Sequence, residues 1–319
     1  MRAFIFPGQG SQTVGMGVAL AEASAVAREV FQEVDDALGE RLSRLMAQGP
    51  AEDLTLTENA QPAIMANAIA TLRVLTRDGN VRLGEKADYV AGHSLGEYSA
   101  LCAAEALDLA TTARLLRTRG QAMQAAVPVG QGAMAVLLGA DLALADVIAG
   151  AAVDAILAEG GEKLICTVAN DNDPSQVVIS GHRAAIERAI LLAKDLGAKR
   201  ALLLPVSAPF HCPLMQPAAE VMENALLDAD LRGPLVPVYC NVDAAPIAAP
   251  GQIRVALVQQ VTGMVRWRES VLAMTAAGVT EFIEFGGKVL APMVKRIAPD
   301  ATATSVVTMD DIEALAARL

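Results

Sequence analysis

The pentapeptide Gly92-His93-Ser94-Leu95-Gly96 fits the pattern G-x-S-x-G, and its flanks give it a setting. Residues 88–91 read as a short strand and 97–104 as the start of a helix. A sharp strand-to-helix turn of this kind exposes the Ser94 hydroxyl at the carboxyl end of the strand. The helix that follows aims its first N–H groups at the same point. The N–H of Leu95 is then set to receive the oxyanion that develops when a carbonyl is attacked. Gly and Ser also make ordinary tight turns, but the strand before and the helix after favour a nucleophile.

A serine hydroxyl needs a base to attack at neutral pH, and histidine is the usual one. The chain has three. His93 adjoins Ser94 on the turn, where neighbouring side chains diverge, so it is expected to pack against the sheet. His182 follows Ser180-Gly181 at a helix start and is expected to be solvated. His211 lies in Ser207-Ala208-Pro209-Phe210-His211-Cys212-Pro213, a loop stiffened by two prolines and shielded by Phe210. By elimination, His211 is the base. No acid between Ser94 and His211 has a context that marks it as the third member of a triad, and a backbone or side-chain carbonyl could orient the imidazole instead. The His and Cys positions lack metal-ligand spacing, so no metal and no cofactor is expected.

The elements around these residues alternate strand and helix. Residues 2–6 read as a strand, 15–38 and 59–78 as helices, and 111–126 as a helix carrying Arg114, Arg117 and Arg119. On its own, that last helix reads as a solvated basic face. Alternation of this kind favours an α/β layered domain with a mainly parallel sheet. The pattern changes near 127–130. Strand 133–138, helix 141–158, strands 164–169 and 176–180 around a turn at 170–174, helix 183–196 and strand 200–204 give the order β-α-β-β-α-β of a ferredoxin-like unit. The expected division is a small domain over 131–205 inserted into a large domain formed by 1–130 and 206–319. The proline-rich stretch 234–250 reads as surface loops.

The 319 residues suit about two domains. With 53% hydrophobic and 19% charged residues a large core can be buried, and with 3% aromatics it must be built from aliphatic side chains and Met. Mean hydropathy is positive at +0.39, yet the best candidate membrane span, 137–157, is broken by Asp141, Asp146 and Asp154. The N-terminal apolar run is too short for a signal peptide. The four cysteines show no C-x-x-C spacing and are expected to be reduced thiols of a cytoplasmic protein. A net charge of −11 argues against nucleic acid as the main partner.

Several separate stretches in order resemble the malonyl-CoA:acyl-carrier-protein transacylases of fatty acid synthesis and their acyltransferase relatives in polyketide synthases. They are FPGQGSQ at 6–12, AGHSLGEYSAL at 91–101, LLRTRGQAMQ at 115–124, NDNDPSQVVISG at 170–181, SAPFHCPLM at 207–215, and QQV with VRW within 259–267. The resemblance implies an α/β-hydrolase-like large domain with a ferredoxin-like insert. It implies Ser94 as the acylated nucleophile, His211 as its base, and Gln260 as the source of the carbonyl that orients His211. Gln9 and the Leu95 N–H would frame the oxyanion hole. Arg119 would hold the free carboxylate of malonyl, since a guanidinium fork matches a carboxylate bidentately. Phe210 would limit substituents on the acyl group.

The implied partners are malonyl-CoA and an acyl carrier protein. Carrier proteins of this kind are acidic, so an acidic enzyme would need a local basic patch, with Lys194, Lys199, Arg200, Lys288, Lys295 and Arg296 as candidates. A monomer is expected. The same chemistry would serve polyketide synthesis or malonate decarboxylation. A serine thioesterase or other hydrolase shares the Ser94–His211 pair, and a non-catalytic acyl-CoA-binding subunit would not need it.

Overall fold

In the computed structural model, which describes residues 1–206 and 208–319, the apolar run near the N-terminus forms strand β1 (Arg2–Phe6). Ser207, at the head of the 207–215 stretch, lies outside the described residues. The other strands are β2 (Tyr89–Gly92), β3 (Gly132–Leu138), β4 (Cys166–Asp173), β5 (Gln176–His182), β6 (Arg200–Leu203), β7 (Val238–Tyr239), β8 (Pro246–Ile247), β9 (Glu281–Phe285) and β10 (Thr302–Val306). They form two sheets, ordered β10-β9-β1-β2-β7-β8 and β4-β5-β3-β6.

The larger sheet is parallel apart from the β7–β8 pair. Side chains alternate across it, so β1 contributes to both faces. Phe4 and Phe6 enter the main core with the long helix Thr57–Arg77, while Ala3 and Ile5 pack with Trp267, Val271 and Val294 on the other side. Helices cover both faces, as a parallel sheet requires. The pairing of Phe6 with Gly92 brings the carboxyl ends of β1 and β2 level. Gln9 and Ser94 follow directly from those ends.

The smaller sheet is antiparallel throughout, with the helices Leu142–Ala158 and Arg183–Ala193 on one face. This is the ferredoxin-like order expected for the β-α-β-β-α-β segment. Alternation again decides what each face meets. Ala133, Ala135 and Leu137 pack under those helices, and Met134, Val136 and Val178 join the main core. The small sheet is therefore held to the rest of the molecule by its own second face. Among the described residues no helix is long and apolar enough to cross a membrane.

Three local expectations are corrected. The predicted helix over 15–38 is two helices, Val18–Ala23 and Ala25–Leu38, because Ser24 adopts extended angles. Its hydroxyl accepts from the Ala27 N–H and donates to Asp78, a capping arrangement that competes with continuous helix. The predicted turn at 170–174 is largely strand. β4 continues to Asp173 through two irregularities in register, and Asn170 to Asp173 are all buried. The stretch 234–250 is not simply surface loop, since β7 lies in the sheet and Val238, Tyr239, Cys240 and Asn241 are buried.

The buried end of β4 is charged, and its charges are paired across the junction between sheets. Asp171 accepts from Arg268 at 2.8 Å, Asp173 accepts from Arg296 at 2.7 Å, and Asn170 bridges Val265. Removing one partner of a buried pair strands the other charge. Arg268→Ala is therefore expected to cost about 3 kcal/mol, the low end of the usual range because the arginine is 25% exposed. Urea unfolding followed by circular dichroism checks this, with a lower midpoint and unchanged native secondary structure expected.

Candidate active site

Ser94 sits between β2 and the helix Leu95–Ala103 with φ 54° and ψ −111°. Positive φ is unusual for a residue with a side chain. The flanking glycines are needed for space. A Cβ on Gly92 would lie 1.9 Å from the Gly96 carbonyl carbon, and one on Gly96 would lie 2.2 Å from the Phe6 oxygen. The turn is thus tight enough to bring the first helical turn against the end of β1. Asn241 holds it from the turn that follows β7: its Oδ1 accepts from the Ser94 N–H at 2.7 Å and its Nδ2 donates to the Gly92 oxygen at 2.7 Å.

The Ser94 hydroxyl lies 2.7 Å from Nε2 of His211. His211 is buried and also has positive φ, 57°. Its Nδ1 faces two carbonyl oxygens, Gln260 at 2.9 Å and Gly263 at 3.2 Å. Carbonyls only accept, so Nδ1 carries the hydrogen and Nε2 is free to accept the Ser94 proton. Burial, and then the nearby Arg119 charge, pushes His211 down to about 3. The ring is neutral at physiological pH, which is the state a base requires.

Arg119 completes the cluster. It comes from the helix Leu109–Ala125, which runs against Thr57–Arg77 at Gly120, where a Cβ would meet the Glu58 Cα at 2.5 Å. This close crossing lets Arg119 Nη1 donate to Gln61 Oε1 at 2.8 Å. Nη2 donates to Gln260 Oε1 at 2.9 Å and to the Ser94 hydroxyl at 3.1 Å. The guanidinium also lies 5.7 Å from the centre of the Tyr98 ring. Arg119 is only 1% exposed, and burial lowers its pKa. Among the described residues its hydrogen-bond acceptors are all neutral. The neighbouring arginines go elsewhere: Arg117 pairs with Glu40, and Arg114 is exposed.

Gln260 is buried and joins these groups. Its backbone oxygen faces His211, its Oε1 accepts from Arg119, and its Nε2 donates to Glu97 Oε2 at 2.7 Å and to the Ser94 backbone carbonyl at 3.0 Å. Glu97 Oε2 also accepts from the Asn241 N–H at 3.0 Å. Burial raises Glu97 to about 7 against the opposing effects of Asn241, Gln260 and Arg119.

The remaining expected residues stand as follows. Gln9 is half-buried, and its Oε1 accepts from Thr57 at 3.2 Å. Thr57 in turn accepts from Gln61, so the chain of bonds runs from Gln9 to Arg119. Leu95 is the first residue of its helix, so its N–H has no acceptor a turn earlier within it. Phe210 is buried in the main core. His93 packs as expected, with its Nε2 2.8 Å from Asn172 Oδ1 and its ring against Trp267. His182 is a correction: it is half-buried and its Nδ1 accepts from the Ile165 N–H at 2.8 Å, tying β5 to the start of β4. The six candidate basic residues are all exposed. Lys199 and Arg200 lie at β6, one edge of the small sheet, whereas Lys295 and Arg296 lie on Leu290–Ile297, which contacts β4 at the opposite edge.

Asn241, Glu97 and Gln61 were not anticipated. Glu97 falls within the 91–101 stretch, but nothing in its type indicates burial. Asn241 falls in a segment read as loop, and Gln61 in a helix, buried along most of its length, where a lone Gln carries no signal.

The comparisons with known proteins agree over nearly the whole chain. The acyl transferase domain family matches residues 3–290. A malonyl CoA-acyl carrier protein transacylase of Bacillus subtilis strain 168 is 46% identical over 297 residues, 92% of this chain and 90% of its own length. An acyl-carrier-protein-S-malonyltransferase of Bartonella henselae superposes with a TM-score of 0.92 at 52% identity, covering 98% of each chain. A malonyl-transacylase solved with a type II polyketide acyl-carrier protein superposes at 0.93 with 39% identity, covering 100% of this chain and 99% of its own.

Two outcomes are expected from the geometry. The His211 ring should show no titration between pH 5 and 8 by NMR, since a base held near 3 stays neutral throughout that window. Asn241→Ala removes two buried bonds around the turn and is expected to slow labelling of Ser94 by a fluorophosphonate about a hundredfold, the scale of an ångström-sized misplacement.

Proposed function

The chain belongs to the acyl transferase domain family, and from that membership we propose that it moves a malonyl group from malonyl-CoA to the pantetheine thiol of an acyl carrier protein, supplying fatty acid synthesis. The observation that carries the substrate choice is the Arg119 guanidinium, buried among neutral acceptors 3.1 Å from the Ser94 hydroxyl. A buried cation beside a nucleophile is matched by an acyl group bearing its own carboxylate. Malonyl is such a group.

Ser94 gives its proton to His211 Nε2 and attacks the thioester carbonyl. The resulting oxyanion is held by the Leu95 N–H and Gln9. As the carbon–sulfur bond breaks, His211 returns the proton to the departing coenzyme A thiol, leaving a malonyl-serine ester. The carrier thiol then gives its proton to His211 and attacks the ester, and Ser94 recovers its hydrogen. The Gln260 carbonyl keeps the imidazole in the tautomer both half-reactions need. No step requires a metal or redox cofactor. Phe210 narrows the acyl pocket and disfavours branched units.

Further parts of the reading rest on the arrangement of the chain. Residues 131–205 form the small domain and 1–130 with 206–319 the large one. The carrier protein, acidic in character, meets exposed basic residues in two groups, Lys194, Lys199 and Arg200, and Lys288, Lys295 and Arg296. The protein acts as a cytoplasmic monomer, a location supported by four free, buried cysteines. Service to a polyketide pathway is the second reading, favoured by the likeness to the malonyl-transacylase solved with a polyketide carrier protein.

The test is Arg119→Ala assayed with malonyl-CoA and acetyl-CoA. A charge-assisted bond to the carboxylate is worth about 1.5–3 kcal/mol, more where the alternative is an unpaired buried charge. Malonyl transfer should therefore fall by roughly one to three orders of magnitude while acetyl transfer holds or rises. Equal loss for both substrates would refute the carboxylate clamp, and release of free malonate in place of malonyl carrier protein would make the chain a hydrolase.

A further inference from the structure

Among the described residues, Glu97 is the only carboxylate hydrogen-bonded to the group formed by Ser94, His211, Arg119, Gln260 and Asn241. It lies on the first turn of the helix that begins at the nucleophile, 1% exposed. One oxygen, Oε2, accepts from both the Asn241 N–H and the Gln260 amide, and the other, Oε1, is buried without a partner. Each of those two partners holds part of the site. Asn241 fixes the backbone of the turn, and Gln260 faces both His211 and Arg119.

We propose that Glu97, as the carboxylate, is a positioning residue of the transfer reaction: it sets the orientation of the Gln260 amide and, through that amide, the alignment of Arg119. The inference rests on the malonyl-transfer reading above. A side-chain amide has one donating and one accepting end. The donating end is drawn to Glu97 at 2.7 Å, and more weakly to the Ser94 carbonyl at 3.0 Å and Asn241 Oδ1 at 3.3 Å, so the accepting end faces Arg119. A protonated Glu97 could donate its own hydrogen to Gln260. That favours the flipped amide, which turns its NH2 toward the guanidinium and sets donor against donor. Arg119 would then lose one of its neutral acceptors, and its hold beside Ser94 with it. Ionisation of Glu97 and alignment of Arg119 are therefore linked through one rotatable amide.

The charged and titratable groups around Glu97 come from several elements. Arg119 faces it from Leu109–Ala125, and Tyr98 is its neighbour on its own helix. Asp243 and Cys240 face it from the segment after β7. Burial is the largest influence and holds Glu97 near 7. Its carboxylate is thus present above about pH 7 and lost as pH falls through that value. His211, held near 3, contributes no change in this range.

The experiment compares the full chain with Glu97→Gln and Glu97→Asp. It measures kcat and KM for malonyl-CoA from pH 5.5 to 9, the Tm at pH 8, and labelling of Ser94 by a fluorophosphonate. The wild type should gain rate as pH rises through about 7. In Glu97→Gln, kcat should fall at least tenfold with less than threefold change in KM. The rise near pH 7 should vanish, and the Tm at pH 8 should be unchanged or higher, since a buried charge is gone. Glu97→Asp keeps the charge and should keep the pH dependence at a reduced rate. Wild-type kcat in Glu97→Gln, or a reduced kcat that still rises through pH 7, would overturn the proposal. Intact-mass detection of a malonyl adduct on the wild type tests the underlying reading separately. If that adduct is absent, fluorophosphonate labelling still decides the role of Glu97, which requires slower labelling in Glu97→Gln.

Discussion

A guanidinium held inside the protein with no carboxylate among the described residues bonded to it is the constraint on which the rest of the site depends. Taking such a charge from water is costly unless hydrogen bonds replace the lost hydration. Arg119 receives them from Gln61, Gln260 and the Ser94 hydroxyl. Each acceptor is neutral, so the bonds keep the cation in place without cancelling its charge. A residual positive potential is thereby fixed next to the Ser94 hydroxyl. Burial, and after it this potential, lowers the basicity of His211 and keeps its Nε2 free to accept a proton.

The supports of Arg119 also hold Ser94 and His211. Gln260 uses its backbone oxygen for the imidazole and its side chain for the guanidinium, so one residue positions both His211 and Arg119. Asn241 and Glu97 bind Gln260 to the turn that carries Ser94. These groups come from separated stretches of chain and meet where β1, β2 and β7 end together. The sheet makes the meeting rigid, and the close contact at Gly120 brings the arginine helix near enough to take part.

Much of this was legible in the sequence, and the division between legible and hidden has physical causes. β1 and the turn at Ser94 announce themselves because a short apolar run opens the chain and a glycine-bounded serine falls between a strand and a helix. The β-α-β-β-α-β order of the small sheet follows from local periodicity. His211 emerged because only three histidines compete for one role. The buried end of β4 could not be read: Asn, Asp and Pro in succession signal a turn, and the strand survives there only because Arg268, Arg296 and Val265 satisfy its polar groups. Asn241 and Glu97 were hidden for the same reason. Their types suggest solvent, and their burial comes from partners far away in the chain. Ser24 shows the converse, a local hydroxyl that breaks what periodicity alone reads as one helix.

The chain contains a single tryptophan, Trp267, which is fully buried with its ring 6.0 Å from that of His93. It begins the helix whose next residue, Arg268, pairs with Asp171 of the small sheet. His93 in turn adjoins Ser94 and bonds Asn172 of that sheet. The protein thus carries an intrinsic fluorophore at the seam between its two sheets, beside the imidazole that neighbours the nucleophile. Its emission has no background from other indoles. Any shift in how the small sheet seats against the catalytic turn, whether during turnover or early unfolding, is reported optically without attaching a dye.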